Sequence, residues 1–130
     1  MSGPTEPAAP ASLAMVTIDC ADPRAEAAFW SAALGWQVAH VEDDYAMLTG
    51  GTSALGFGRV EGYTPPAWPD EQGVKQFHFD LAVDDIAAAE QSLVAQGATL
   101  PDAQPGGDRW RVLLDPAGHP FCLTLAANWS

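Results

Sequence analysis

The sequence predicts an α+β fold in which one βαβββ unit occurs twice. Both halves contain a strand-like run, an Asp where a helix begins and a Gly where it ends, and the interval from Asp22 to Gly35 equals that from Asp84 to Gly97. Three short apolar runs separated by turn residues follow each helix. Because neither unit can bury its apolar face alone, we expect two tandem modules that form one curved mixed sheet around a shared cleft.

The composition favours one folded domain with flexible ends. Hydrophobic residues make up 48% of the 130-residue chain, which is enough for a core and excludes a disordered protein. The first residues are rich in Pro and Ala without periodicity, which is typical of a flexible tail. The predicted divisions are a tail at 1–12, a domain at 13–126 (module one at 13–62, a Pro-rich loop at 61–74, module two at 75–126) and a second tail at 127–130.

The first module begins with a predicted strand at residues 13–20. Asp22 is placed to cap the following helix, because its carboxylate can accept from the N–H groups of the first turn, and Pro23 needs no hydrogen bond there. Gly35 is placed to end the helix in the left-handed conformation. The module then continues with predicted strands at 36–41, 45–48 and 54–60.

The connection to the second module is predicted to be irregular, because the run at residues 65–69 is too rich in Pro for a helix or a strand. A strand at 76–83 then leads to a helix that Asp84 is expected to cap and Gly97 to end. The module is completed by predicted strands at 98–103, 110–115 and 121–126.

The net charge of −12, from 17 acidic and 5 basic residues, excludes several classes of partner. Phosphate binding needs clustered Lys and Arg, so we expect neither nucleic acid nor an anionic membrane surface as a partner. A cationic or neutral small molecule fits the charge, which also favours solubility. The sequence has no apolar run of transmembrane length and no signal peptide, so we expect a cytoplasmic protein in which Cys20 and Cys122 are reduced.

Four local motifs follow one another along the predicted domain. Residues 22–36 start a helix with Asp, carry the pair Phe29 and Trp30, and end in Leu-Gly; residues 78–85 start the second half with a His-bearing strand. The Asp-Pro-x-Gly motif within residues 115–123 precedes the last strand. With these motifs in this order, and with the Pro-rich run, the chain resembles the glyoxalase/bleomycin-resistance/dioxygenase superfamily, which has the vicinal oxygen chelate fold. Within that superfamily it resembles a glyoxalase-like branch that is common in actinobacteria.

Metal-dependent members of this superfamily hold a divalent ion with side chains from the first, fourth, fifth and eighth strands. Carried over by position, the resemblance places these ligands at Met15, near residues 55–57, at His78 and at Cys122. Only His78 and Cys122 have suitable donor atoms, whereas a first-row metal needs about three or four protein ligands. We therefore expect no metal cofactor; if a metal were bound, His78 and Cys122 would be its ligands.

Polar side chains on two strands are the candidate catalytic groups. His78 and Asp80 are two positions apart and share one face of the fifth strand; Thr17 and Asp19 share a face of the first strand in the same way. The resemblance implies that both faces line the cleft, so His78, Asp80 and Asp19 would converge in an apolar cup as acid–base catalysts. Alternatively, the two carboxylates accept backbone or indole N–H groups and only orient the strands. Either carboxylate could also add a metal ligand.

Aromatic side chains complete the predicted binding site. Trp68 lies in the Pro-rich loop, where an indole can cover a cleft, and Trp110 alternates with Val112 along the seventh strand. The predicted ligand-binding residues are Thr17, Asp19, Trp68, His78, Asp80, Trp110 and Cys122.

The leading functional prediction is a homodimeric protein that binds a small aromatic or cationic metabolite without a metal, with antibiotics among the candidate ligands. The resemblance supports it, because bleomycin-resistance proteins are acidic, metal-free dimers that sequester a basic drug. Two alternatives stay open. One is a lyase, isomerase or hydrolase that uses His78 and Asp80, either without a metal or with an unusual ligand set. The other is a structural or regulatory module.

Overall fold

The computed structural model describes residues 13–73 and 77–129, and its first module forms a four-stranded sheet covered by one helix. The strands are hydrogen-bonded in the order β1-β4-β3-β2, with β1 and β4 parallel and the other neighbours antiparallel. The elements of this module are β1 (Met15–Cys20), α1 (Pro23–Leu34), β2 (Gln37–Val41), β3 (Tyr45–Thr49) and β4 (Ala54–Arg59).

The second module forms a separate sheet of three strands in the order β5-β7-β6, in which β5 runs parallel to β7. The α+β prediction is confirmed, with the strands hydrogen-bonded as two sheets rather than as one continuous sheet. The predicted start of the fifth strand at residue 76 lies outside the described residues. The elements are β5 (Phe79–Val83), α2 (Ile86–Ala95), β6 (Arg111–Leu114), β7 (Pro120–Leu125) and a final 3-10 turn at Ala126–Trp129.

The predicted strand at 98–103 does not form, and a side chain takes the place of its backbone. Only an isolated bridge joins Thr99 to Leu114. The amide of Gln104 accepts a hydrogen bond from the backbone N–H of Val112 at 2.8 Å and donates to its carbonyl at 2.9 Å. Both backbone groups of Val112 are therefore hydrogen-bonded without a fourth strand in the sheet. Within the predicted strand, Pro101 has no backbone N–H to donate to a neighbouring strand.

The ends of α1 follow the predicted capping chemistry, whereas both ends of α2 differ from it by one residue. Asp22 accepts from two N–H groups of the first turn of α1, and Gly35 ends the helix with a φ of 72°. In the second helix the predicted cap, Asp84, is wrong: Asp85 caps α2 by accepting from the N–H of Ala88 at 3.0 Å. Gln96, rather than the predicted Gly97, is the C-cap of α2. Among the described residues, neither helix is long and apolar enough to cross a bilayer.

A single core joins both helices and both sheets, and Trp30 lies at its centre. The indole is 1% exposed and packs edge-to-face against Phe29, Phe79 and Phe121 at centroid distances of 5.0, 5.3 and 5.0 Å. Phe79 and Phe121 belong to the second sheet, whereas Trp30 belongs to the first module. The two modules consequently share one hydrophobic core.

Residues 115–119, here called the Asp115 turn, attach the second sheet to the first module. The carboxylate of Asp115 is 3% exposed and accepts from the indole N–H of Trp30 at 3.0 Å and from the backbone N–H groups of Ala117 and His119. A carboxylate buried away from water loses its hydration, and these three hydrogen bonds compensate for that loss.

Two further side chains, those of Tyr63 and His119, connect the Asp115 turn to the first module and to the Pro-rich loop. The hydroxyl of Tyr63 donates to the carbonyl of Ala117 at 2.8 Å. His119 Nε2 lies 2.7 Å from the carbonyl oxygen of Asp19, so this ring nitrogen must carry the proton and donate it. The side chain of His119 is therefore a bridge between the turn and β1.

Glu26 places a second carboxyl group beside Asp115. It is 1% exposed; its Oε1 accepts from the N–H of Ala117 at 3.0 Å, and its Oε2 has no hydrogen-bond partner among the described residues when the group is ionised. Burial, with the neighbouring Asp115 as the next cause, raises the pKa of Glu26 to about 9. Glu26 is therefore protonated near neutral pH, and its Oε2–H can donate to the Asp115 carboxylate.

We predict that Glu26→Gln removes a pH dependence of stability. In the unfolded chain Glu26 ionises near its ordinary pKa, whereas in the folded protein it stays neutral until about pH 9, so unfolding releases a proton between these values. The free energy of unfolding of the wild type should therefore fall as pH rises from about 5 to 9, by up to about 1.4 kcal/mol per pH unit from this group. Urea denaturation at several pH values measures both proteins.

The variant carries an amide where the wild type carries a neutral carboxyl, so its unfolding free energy should fall less steeply over the same range. Glu71→Gln, at an exposed position, is the matched control and should keep the wild-type slope. Equal slopes in wild type and Glu26→Gln would contradict the assignment of a neutral Glu26.

Candidate functional site

The face of the second sheet that points away from the core forms a cavity of about 580 Å³, here called the tryptophan cavity. Phe121 and Leu123 of β7 point into the core, so the alternate residues Cys122 and Thr124 point into this cavity. The lining residues are Trp68, His78, Asp80, Pro105, Arg109, Trp110, Val112, Pro120, Cys122, Thr124, Asn128 and Trp129.

His78, Asp80 and Cys122 form the polar centre of the tryptophan cavity. Their nearest donor atoms all lie within 4.8 Å of one another, and His78 Nε2 is 3.3 Å from Asp80 Oδ1. Asp80 and Cys122 are neighbours in the parallel pairing of β5 with β7, and His78 lies two residues before Asp80 on the same face. The side chains of His78 and Asp80 are 34% and 41% exposed, so both groups are accessible from the cavity.

Two indoles form the apolar walls of the cavity. The Nε1–H of Trp68 donates to the carbonyl of Ala103 at 3.2 Å, which fixes the Pro-rich loop over the second module. Trp110 lies against the backbone of Gly106, where a Cβ atom would approach the indole to 2.3 Å, so only glycine permits this position of the ring. The guanidinium of Arg109 lies 5.2 Å from the centre of the Trp110 ring, as in a cation–π pair.

The structure brings together most of the predicted ligand-binding residues, but not those of the first strand. Thr17 and Asp19 lie on the other side of His78, in a second cavity of about 700 Å³ between β1 and β5, here called the inter-sheet cavity. Trp68, His78, Asp80, Trp110 and Cys122 line the tryptophan cavity, and His78 lines both.

The expected convergence of Asp19 with Asp80 is therefore wrong. Asp80 projects from the face of β5 opposite to Phe79, which lines the inter-sheet cavity with Asp19, so the two carboxylates lie in different cavities. The alternative role predicted for Asp19 and Asp80 is to accept a backbone or indole N–H. The carboxylate that accepts the indole N–H of Trp30 is that of Asp115.

Several lining residues of the tryptophan cavity were not predicted. Thr124 could have been found, because it alternates with Cys122 along β7. Its Oγ1 accepts from the indole N–H of Trp129 at 2.7 Å, which places this last tryptophan at the rim. Arg109 carried no periodic signal, because it lies in a turn next to Trp110.

The four metal-ligand positions implied by the resemblance are not assembled among the described residues. Met15 lies on the first sheet, where its Sδ accepts from the hydroxyl of Tyr45 at 3.1 Å, and it lines neither cavity. Leu55 and Phe57 point into the core. The donors that do fit a metal are the imidazole, thiol and carboxylate of the cavity centre, and this carboxylate, Asp80, is one of the two that the sequence offered as an added ligand.

Comparison with known families and structures gives a consistent result. The model of the glyoxalase-like domain matches residues 15–124. No curated protein matches the sequence. A glyoxalase/bleomycin resistance protein/dioxygenase family enzyme from Burkholderia phytofirmans PsJN is similar in structure, with a TM-score of 0.64 and 26% identity over 87% of this chain and 97% of that one.

Two more distant structures share the fold. Trypanothione-dependent glyoxalase I of Leishmania major has a TM-score of 0.63 and 16% identity, over 92% of this chain and 89% of that one. The bleomycin-binding protein of Streptomyces verticillus, solved with copper(II)-bleomycin, has a TM-score of 0.54 and 19% identity, over 91% and 98%. At these identities the likeness shows the fold alone.

Proposed function

This chain belongs to the glyoxalase-like domain family, within the glyoxalase/bleomycin resistance/dioxygenase superfamily, and from that premise we propose that it binds a small aromatic or cationic molecule in the tryptophan cavity. The observation that carries the proposal is the pair of indoles, Trp68 and Trp110, which flank one cavity whose centre holds the carboxylate of Asp80. Apolar walls with a few convergent polar groups are the usual composition of a small-molecule site.

A positive charge on the ligand is favoured by two features of the cavity. The face of Trp110 accepts a cation, at present the guanidinium of Arg109, so a cationic ligand that displaces this group gains the same cation–π contact. The carboxylate of Asp80 is partly exposed to the cavity, and the whole chain carries a net charge of −12 that attracts cations. Stacking and charge hold such a ligand without requiring a metal.

The ligand class in this proposal includes antibiotics. A protein of the same fold, from Streptomyces verticillus, was solved with copper(II)-bleomycin, and a basic aromatic drug is the kind of molecule that the tryptophan cavity would favour. Capture of such a molecule is consistent with the cytoplasmic location expected from the sequence.

We predict that Trp68→Ala and Trp110→Ala each weaken binding of the aromatic cation proflavine by about 10-fold or more, because each removes one stacking surface. Calorimetric titration of the full chain measures the dissociation constants. Fluorescein, an aromatic anion, should bind at least about 10-fold more weakly than proflavine to the wild type.

The control variant is Trp36→Phe, because Trp36 lines neither cavity and the variant should bind as the wild type does. Arg109→Ala should strengthen proflavine binding, since it removes a positive charge and uncovers a face of Trp110. Unchanged affinity in both indole variants would refute the proposed site.

A second candidate function is catalysis, because His78 Nε2 and Asp80 Oδ1 lie 3.3 Å apart within the cavity. A carboxylate that orients an imidazole is a common general acid–base pair. If the protein is an enzyme, His78→Ala should abolish turnover of a bound substrate while its binding persists. For a protein that only captures its ligand, the same variant should have a smaller effect on binding than either indole variant.

We also propose that the protein is a homodimer in which a second copy covers Phe77. This phenyl ring is 90% exposed beside the unpaired edge of β5, which is unfavourable for a large apolar side chain in water. Analytical ultracentrifugation should give twice the 13.7 kDa mass of the chain, and Phe77→Asp should reduce it to the monomer mass. Val94→Asp, on the exposed face of α2, is the matched control that should stay dimeric. A monomeric wild type would refute the proposal.

A further inference from the structure

We propose that the tryptophan cavity selects cations without N–H donors, the chemical class of quaternary ammonium compounds. The inference rests on the proposed function and deepens it, because it names the kind of positive charge that the cavity takes. It also assigns Trp129 as a third stacking surface beside Trp68 and Trp110.

Three of the five tryptophans of the chain line this one cavity. Trp129 lies in the 3-10 turn at its rim and is 63% exposed. Its indole N–H nevertheless donates to Thr124 Oγ1 at 2.7 Å, so the ring is held in place rather than free in solvent. An exposed aromatic ring that is fixed at a cavity is available for contact with a ligand.

The hydrogen-bonding atoms of these walls are already engaged within the protein. The Nε1–H of Trp68 donates to the carbonyl of Ala103, and that of Trp129 donates to Thr124. The hydroxyl of Thr124 donates its only proton to the carbonyl of Leu81 at 2.9 Å. The two indoles consequently offer a ligand their ring surfaces rather than their N–H groups.

The cavity has a negative charge but few acceptors for a ligand N–H. Asp80 is the one carboxylate among the described residues that line it, and its Oδ1 lies 3.3 Å from His78 Nε2. A primary ammonium group has three N–H donors, each of which needs an acceptor once water is displaced. A quaternary ammonium group has no such donor and needs only aromatic faces and a nearby negative charge.

The face of Trp110 supports the same selection. The guanidinium of Arg109 lies 5.2 Å from the centre of this ring, and guanidinium is more weakly hydrated than an ammonium group. A quaternary ammonium group is also weakly hydrated, because its methyl groups donate no hydrogen bonds to water. It can therefore take the place of the guanidinium on Trp110 while the carboxylate of Asp80 balances its charge.

Calorimetric titration of the full chain with choline, 3,3-dimethyl-1-butanol and ethanolamine, at constant ionic strength, tests the inference. The three probes share a hydroxyethyl chain and end in a trimethylammonium, a neutral tert-butyl and a primary ammonium group. We expect choline to bind at least about 10-fold more tightly than either of the others, because the first lacks the charge and the second lacks the methyl groups that contact the rings. The net charge of −12 attracts choline and ethanolamine alike, so this difference reports the cavity. Choline should also displace proflavine.

Variants assign the contributions of the cavity residues. Trp129→Ala should weaken choline binding by about 5-fold or more, and Trp129→Phe, which keeps an aromatic ring, should weaken it less. Asp80→Asn should weaken binding of choline and leave that of its neutral isostere unchanged. Asp102→Asn, at an exposed position outside both cavities, changes the net charge by the same amount and should bind choline as the wild type does. Circular dichroism verifies that each variant is folded.

Equal affinities for choline and its neutral isostere, binding of ethanolamine as tight as that of choline, or no detectable binding of choline would each overturn the inference. Unchanged choline affinity in Trp129→Ala would overturn the role assigned to that ring. These failures are distinguishable from failure of the proposed function. A wild type that binds proflavine through Trp68 and Trp110 without preferring choline refutes the inference alone, whereas proflavine binding that neither indole variant weakens refutes the proposed site itself.

Discussion

The buried carboxylate of Asp115 is the interaction on which the arrangement of the two sheets depends. It accepts the indole N–H of Trp30 from the first module and two N–H groups of its own turn, and hydrogen bonds to a charged group contribute about 1.5–3 kcal/mol each. β7 begins directly after this turn and carries Cys122 and Thr124 onto the cavity face. The position of the candidate site relative to the first module is therefore set by a hydrogen bond in the core.

Protonated Glu26 makes this arrangement electrostatically possible. Two ionised carboxylates at one buried point would repel each other without compensation, whereas a neutral Glu26 leaves a single charge and adds a donor. The Pro-rich loop closes over the same turn: at Gly118, with a φ of 88°, a Cβ atom would approach Pro65 to 2.6 Å. The Asp-Pro-x-Gly motif thus serves the contact between modules, with its glycine needed for close approach as well as for the turn.

Local features were predictable from the sequence because their causes are local. The Asp22 cap and the Gly35 end of α1 follow from residues within the helix and its first flanking positions. The face shared by His78 and Asp80 follows from strand periodicity. Contacts between distant residues decided the rest: Gln104 replaces a strand by binding Val112, and the division into two sheets separates Asp19 from Asp80. No pattern along the chain records such pairings.

The central claim is that ligands bind at the tryptophan cavity of the second sheet rather than between the sheets. The five tryptophans report on this directly, since Trp68, Trp110 and Trp129 line the tryptophan cavity, Trp30 lines the inter-sheet cavity and Trp36 lines neither. The measurement is an NMR titration of the ¹⁵N-labelled protein with proflavine, following the indole N–H resonances assigned with Trp→Phe variants. The account predicts shifts of the Trp68 and Trp110 resonances while those of Trp30 and Trp36 stay in place. A shift of the Trp30 resonance with Trp68 and Trp110 unmoved would contradict it.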